Sequence, residues 1–178
     1  PGAGKTIGLD TYYRNTPNTY LVECNSLMNR RQFMAEILLK MGVAFSGGLY
    51  DMAATIINEL NSRQNPLLIL DEAGKLHMHL LLDIHYIRNS TMNNAGIVLA
   101  GVEYFYTNLE KAARKQKQGM PEFLSRIQSL YELHPPTKKE IEAICIANGV
   151  TDVATIKEFK EFKNFRELKN GILKESEL

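Results

Sequence analysis

The sequence has little of several features that would mark a specialised class of protein. Only two of its 178 residues are cysteines, Cys24 and Cys145, and their separation matches no metal-ligand spacing. This scarcity excludes a disulfide-stabilised scaffold and a zinc finger. We expect both thiols to be buried within a protein of the reducing cytoplasm.

An excess of charge of one sign is also missing. The 21 basic and 20 acidic side chains leave a net charge of +1, so a surface for nucleic acid would have to be a local patch. No apolar run approaches the ~20 residues that span a bilayer, and we expect no membrane partner. The chain does not begin with Met, and we expect its abrupt opening to be a cut that removed a segment upstream of Pro1.

What the sequence does contain is a regular alternation of strand-like and helix-like segments. Short β-prone or apolar runs occur at Tyr20–Cys24, Leu67–Leu70 and Ile97–Ala100, separated by stretches with apolar residues at helical spacing. A last short strand is predicted at Gln128–Leu133. This alternation is typical of βαβ units and predicts an α/β fold, with a parallel sheet and helices on both faces.

The pattern changes after Pro136, where only helices are predicted, at Lys138–Asn148, Asp152–Phe162 and Asn164–Lys174. We therefore predict two domains: a core at residues 1–135 and a small helical appendage at residues 136–178.

The opening residues match the end of the P-loop pattern G-x-x-x-x-G-K-[ST]. Gly4, Lys5 and Thr6 supply its last three positions, preceded by Gly2 and Ala3. Glycines let backbone N–H groups turn towards phosphates, the lysine reaches the β- and γ-phosphates, and the Thr hydroxyl holds Mg²⁺. A P-loop normally follows a buried strand, so we expect an open slot in the sheet or an incomplete phosphate loop.

A second acidic motif follows the run Leu67–Leu70, which reads as a strand covered on both faces. Asp71 and Glu72 end this strand, at the edge of the sheet where ligands gather in α/β proteins. An Asp there can hold Mg²⁺, and the adjacent Glu can polarise a water for attack on the γ-phosphate. Two solvated surface acids are the alternative interpretation.

Five segments are arranged in an order that carries a family resemblance: P-G-A-G-K-T, N-T-P-N-T-Y-L-V-E-C, L-L-I-L-D-E-A-G-K-L, G-I-V-L-A-G-V-E-Y-F and F-L-S-R-I-Q. Together they resemble the AAA+ ATPases of bacterial DNA transposition, of the phage Mu transposition protein B type, and the related ExeA-type ATPases. The resemblance implies a P-loop AAA+ core with a helical lid, ATP and Mg²⁺ as ligands, and self-assembly into oligomers.

The resemblance also implies roles for particular residues. Arg126 occupies the place of the arginine finger that completes a neighbouring subunit's site, although an ordinary surface arginine is the alternative. Arg166 resembles the lid arginine that senses the γ-phosphate in the same subunit, and an ordinary basic surface residue is an equal alternative. Asn25 matches a residue that restrains Glu72, but a plain turn asparagine is the favoured interpretation.

One position departs from the family pattern. Where the family has a polar residue that positions the attacking water, this chain has Val102, followed by Glu103. Either Glu103 substitutes for it, or hydrolysis is slow and ATP acts mainly as an assembly switch.

The family likeness further implies that the protein assembles on DNA and recruits or regulates a transposase. Candidate contacts to the DNA backbone are the basic side chains Arg30, Arg31, Lys111, Arg114, Lys115 and Lys117. Solvated helix faces are an equal alternative for each cluster. Two other functions stay open: a secretion or signalling ATPase acting on a protein partner, and a nucleotide-binding module without turnover.

Overall fold

The structure is a computed structural model that describes residues 2–176. Pro1, which opens the P-loop segment, and Glu177 and Leu178, which end the predicted lid, lie outside the described residues. The described chain divides into two compact units. One is Gly8–Leu130; the other combines the residues up to Ile7 with those from Tyr131 onward.

A three-stranded parallel sheet forms the centre of the Gly8–Leu130 unit. Its strands are β1 (Thr19–Glu23), β2 (Leu67–Asp71) and β3 (Gly96–Leu99), in the order β1-β2-β3. Leu68, Ile69 and Leu70 of β2 are at most 1% exposed, because β2 has a strand on each side and is covered on both faces. Together with its flanking helices, the sheet confirms the predicted α/β fold.

Helices connect and cover these strands. α2 (Arg30–Lys40) begins with a capping box, in which Asn29 Oδ1 accepts from Gln32 N at 2.9 Å and Gln32 Oε1 accepts from Asn29 N at 3.0 Å. Three helices, α2, α3 (Leu49–Ser62) and α4 (Met78–Thr91), bury their apolar stripes in one core with the sheet. The helices up to Leu130 are α1 (Lys5–Asn15), α2 (Arg30–Lys40), α3 (Leu49–Ser62), a 3-10 turn (Ala73–Lys75), α4 (Met78–Thr91), α5 (Glu103–Arg114) and α6 (Met120–Ser125).

The prediction of a strand at Gln128–Leu133 is wrong. No ladder partner pairs with this segment among the described residues, and Leu130, Tyr131 and Leu133 are 65%, 86% and 55% exposed. A β-prone sequence without a partner cannot satisfy its backbone groups as a strand. The short helix α6, which precedes this segment, was not predicted.

Three helices follow Pro136, namely α7 (Lys138–Ala147), α8 (Val153–Phe159) and α9 (Phe165–Ser176). They bury a separate apolar core that includes Ile141, Cys145, Phe159 and Leu168. Within residues 2–176, none of the helices has the length and apolar character needed to cross a membrane.

Candidate functional site

Asp71 is a buried carboxylate at the carboxyl end of the central strand. It is 3% exposed, its Oδ1 accepts a hydrogen bond from Glu72 N at 2.8 Å, and its backbone oxygen accepts from Cys24 N at 2.9 Å. Burial of a carboxylate is costly unless hydrogen bonds or a cation compensate it. An acidic oxygen donor at this edge of a parallel sheet is chemically suited to Mg²⁺.

Glu72 follows with a backbone conformation that few residues adopt. Its φ of 56° and ψ of 32° lie in the left-handed region, which costs a non-glycine residue roughly 1–3 kcal/mol. The next residue is fixed, because Ala73 N donates to Ala100 O at 2.8 Å beyond the end of β3. The Glu72 side chain is partly exposed, and Lys75 Nζ lies 3.7 Å from Glu72 Oε2.

Cys24 and Asn25 follow β1, whose last residue Glu23 lies opposite Asp71 in the sheet. Burial raises the pKa of the Cys24 thiol to about 12, and the negative charges of Asp71, Glu23 and Glu72 add to this effect while Lys75 opposes it. The thiol is therefore neutral beside the acidic pair. Asn25 Oδ1 accepts from Leu27 N at 3.0 Å, which makes Asn25 part of a local turn.

The glycine-rich turn lies in the other unit, against the start of α9. Gly2 and Gly4 have φ values of 76° and 79°, which side-chain-bearing residues rarely adopt. Gly2 O accepts from Phe165 N at 2.9 Å, and a Cβ on Gly2 would lie 2.9 Å from Asn164 Oδ1. Ala3 lies between the two glycines, and α1 begins at Lys5, followed by Thr6. The required glycine conformations and the helix start are the features that a phosphate-binding turn needs.

Arg166 is the second residue of α9 and has an exposed side chain. Its N–H donates to Asn164 Oδ1 at 3.1 Å, next to the bond from Phe165 N to Gly2 O. The structure thus brings the start of the helix that carries Arg166 together with the glycine turn. Sequence reasoning missed Asn164 and Phe165, although Asn164 followed by Glu167 has the spacing of a helix N-cap signal.

Arg126 is the C-cap residue that follows α6, and it is exposed. His85 on α4 packs its ring edge-on against Phe123 of α6, with ring centroids 6.0 Å apart. Burial lowers the pKa of His85, and the positive charges of Arg126 and Arg88 lower it further, whereas Glu122 opposes them. The buried Phe123 and its contact with His85 anchor α6 in the core, while the Arg126 side chain that follows this helix is exposed.

The position that departs from the family pattern lies between β3 and α5. Val102 is the N-cap residue of α5 and gives no side-chain cap, and Glu103 is the exposed first residue of that helix. Glu103 is the acidic residue in the first turn of α5, where it complements the helix dipole.

The basic side chains that are candidates for DNA binding differ in their hydrogen bonds and ion pairs. Arg30 donates from Nε and Nη2 to the two carboxylate oxygens of Asp83, at 2.8 and 2.5 Å. Arg31 Nη1 donates to Gly47 O at 2.6 Å. The side chains at the end of α5 are exposed, with Arg114 only 3.8 Å from Glu110, and the cluster comprises Lys111, Arg114, Lys115 and Lys117.

Comparison with known proteins identifies the family. A family model described as an AAA domain matches residues 1–109, which is more than half of the chain and contains both the glycine turn and Asp71-Glu72. No curated protein matches. The matched region carries a three-stranded parallel sheet with flanking helices, which is consistent with a P-loop NTPase fold. The chain belongs to the AAA domain family of nucleotide-binding P-loop ATPases.

Proposed function

We propose that this protein binds and hydrolyses ATP, assembles on duplex DNA in an ATP-dependent way, and recruits or regulates a transposase-like partner. The observation that carries the ATPase part is the presence of two motifs within the family match. One is the turn of Gly2 and Gly4 at the start of α1, and the other is Asp71-Glu72 at the end of β2. The DNA and transposase part rests on the five-segment resemblance and on the basic end of α5.

The residues of the two motifs suit Mg²⁺-ATP. The backbone N–H groups from Gly2 to Gly4 and the Lys5 ammonium would hold the phosphates. Thr6 and Asp71 would hold Mg²⁺, since hydroxyl and carboxylate oxygens are its preferred protein ligands. Asp71 is 3% exposed and ends the central strand, which would place a carboxylate ligand for Mg²⁺ at the edge of the sheet where ligands bind in α/β proteins. When bound, Mg²⁺ neutralises charge on the β- and γ-phosphates.

Glu72 would act as the general base that takes a proton from the attacking water. Its left-handed backbone supports this role, because strained residues persist where the surrounding structure fixes them and such positions cluster at active sites. Lys75, 3.7 Å away, competes with a water for the Glu72 carboxylate. Together with Val102 at the position where the family has a polar residue, this pairing supports slow turnover that a partner or DNA stimulates.

Two arginines would complete the site. Arg126, exposed at the end of α6, would serve a neighbouring copy, where its planar charged fork suits the charge that develops on the γ-phosphate. Arg166 would sense the γ-phosphate from its own subunit. These roles make self-assembly a requirement for full activity.

The ATPase proposal is tested by Glu72→Gln, which keeps the shape of the side chain and removes the base. We expect turnover to fall by about 10²- to 10⁴-fold, while equilibrium binding of ATP, followed by calorimetry, is retained. Lys5→Ala should instead lose ATP binding. Glu36→Gln on α2 is the matched control and should turn over ATP like the wild type. Undiminished turnover in Glu72→Gln would exclude Glu72 as the base.

The DNA proposal is tested by retention of mixed-sequence duplex DNA, with and without a non-hydrolysable ATP analogue. We expect retention only with the analogue, weakening as salt rises. ATP turnover without any DNA retention would favour an ATPase that acts on a protein partner. ATP binding without turnover, in the presence of DNA as well as in its absence, would favour the inert nucleotide-binding module.

A further inference from the structure

The turn of Gly2 and Gly4 is held by the start of α9 through both backbone and side-chain contacts. Phe165 N donates to Gly2 O at 2.9 Å, and the Phe165 ring lies 3.5 Å from where a Cβ on Gly4 would be. Asn164 Oδ1 approaches Gly2 so closely that a Cβ there would lie 2.9 Å away. A glycine is thus required at Gly2 for two reasons, its φ of 76° and the proximity of Asn164.

Asn164 is also the N-cap of α9. Its Oδ1 accepts from Arg166 N at 3.1 Å and from Glu167 N at 3.0 Å, and its Nδ2 donates to Glu167 Oε1 at 2.8 Å. The first N–H groups of a helix have no partner within the helix, and a cap residue satisfies some of them. In α9, Asn164 satisfies two of them, and the carbonyl of Gly2 satisfies the N–H of Phe165.

The glycine turn therefore supplies the Gly2 carbonyl as one hydrogen-bond acceptor in the cap of α9. The same hydrogen bond holds that carbonyl against the start of the helix. Loss of the cap would fray the first turn of α9 and release the Phe165–Gly2 bond together with it. Arg166, the second residue of α9, lies in the same turn and would lose its fixed backbone as well.

From these contacts we propose that Asn164 is a positioning residue, which holds the phosphate-binding turn and the start of α9 in one arrangement. It need not touch the nucleotide; it acts through Gly2 and through the backbone of Phe165 and Arg166. The inference deepens the proposed function and rests on it for the consequence that Asn164 strengthens ATP binding. The coupling of the two segments is independent of the ligand.

The chain offers a matched control for this idea. Asp152 caps α8 in the same way, since its Oδ2 accepts from Thr155 N at 2.8 Å. Asp152→Ala and Asn164→Ala each remove the cap of one helix in the same unit, at a similar cost in stability. Only Asn164 borders the glycine turn. Asn164→Ser is the conservative variant, because serine caps a helix about as well as asparagine.

The first measurement is the protection of the Phe165 amide against hydrogen exchange in the nucleotide-free protein, followed by NMR. We expect the protection factor to fall about 5-fold in Asn164→Ala, the factor that loss of one cap produces. It should be unchanged in Asp152→Ala and largely restored in Asn164→Ser. Equal protection of Phe165 in Asn164→Ala and the wild type would overturn the proposal.

The second measurement is the dissociation constant for ATP of the same variants. We expect it to rise severalfold in Asn164→Ala but not in Asp152→Ala, because the fraction of molecules with a formed turn falls. Equal weakening in both variants would mean general destabilisation of the helical unit and would also overturn the proposal. If the wild type binds no ATP, the proposed function fails, whereas amide exchange still decides whether Asn164 holds the turn.

Discussion

Cys24 shows how the end of a parallel sheet controls the chemistry of a single side chain. The thiol is fully buried, and the backbone bond from Cys24 N to Asp71 O fixes it beside the acidic pair. Burial disfavours the thiolate, and the neighbouring carboxylates disfavour it further. The surroundings that suit a cation at Asp71 thus make Cys24 a weak acid and a poor nucleophile.

We predict that Cys24 does not titrate near pH 9 in the folded protein. Because the folded pKa, about 12, lies above the ordinary thiol value of 9.0, Cys24 contributes stability that is fully present below pH 9. That contribution is lost as pH rises from 9 towards 12. The measurement is the ¹³Cβ chemical shift of labelled cysteine between pH 7 and pH 10.5, with the unfolded chain as the control. A native midpoint near the value of the unfolded chain would contradict the prediction.

Sequence reasoning could name the candidate site residues that share one short segment, and their roles stay predictions. Gly2 to Thr6 and Asp71-Glu72 were predicted because each motif is contiguous, and the polarity of its neighbours reveals the strand or helix that carries it. The contacts of Asn164 with Gly2 and of Cys24 with Asp71 were missed because the two residues of each pair are distant in sequence. A contact between residues that are distant in sequence depends on the topology of the chain. The sequence around either residue therefore does not predict it.

The pairing of Arg30 with Asp83 joins two helices, α2 and α4. The sequence suggested Arg30 as a contact to DNA, but its guanidinium forms a bidentate bond with a carboxylate that is 9% exposed. That bond raises the pKa of Arg30 above its ordinary value. A DNA phosphate would have to compete with Asp83, and we therefore place the proposed DNA surface at the end of α5.

We predict that Arg30→Ala destabilises the fold by roughly 1–3 kcal/mol, because it leaves Asp83 buried without its partner. Arg31→Ala is the control, since Arg31 is exposed and bonds only a backbone oxygen, and surface changes of this kind cost ~0.5 kcal/mol or less. Urea unfolding gives both values. The double variant Arg30→Met with Asp83→Leu should recover most of the loss. If Arg30→Ala were as stable as Arg31→Ala, the Arg30–Asp83 ion pair would contribute nothing measurable to the free energy of unfolding.

The elements were predictable where the local pattern and the tertiary packing agree. The continuous apolar run of β2 and the apolar stripes of α2 and α3 are recognisable in the sequence, because apolar side chains in these patterns must be buried against a neighbouring element. The segment Gln128–Leu133 has the composition of a strand, but strand formation also needs a neighbour to pair with. α6 was missed because it is only six residues long, although Gly119 with a φ of 73° and a Pro in its first turn mark its start.

Over the whole molecule the positive and negative charges nearly balance, but the positive charges are unevenly distributed along the chain. The net charge of +1 gives no general attraction to DNA. The exposed end of α5, with Lys111, Arg114, Lys115 and Lys117, concentrates four positive charges in a stretch of seven residues. Within residues 2–176, an ion pair engages only Arg114 of this cluster, and weakly, at 3.8 Å.

We predict that Lys115 and Lys117, changed together to Ala, weaken ATP-dependent DNA binding about equally for all sequences. Each lost phosphate contact lowers the slope of log K against log salt by about 0.9, so the slope should fall by about 2. The control is Lys138→Ala with Lys139→Ala on α7, which removes the same charge elsewhere. Fluorescence anisotropy over a range of salt concentrations measures both slopes. If the two double variants changed the slope equally, the effect would come from net charge, and the end of α5 would not be the DNA surface.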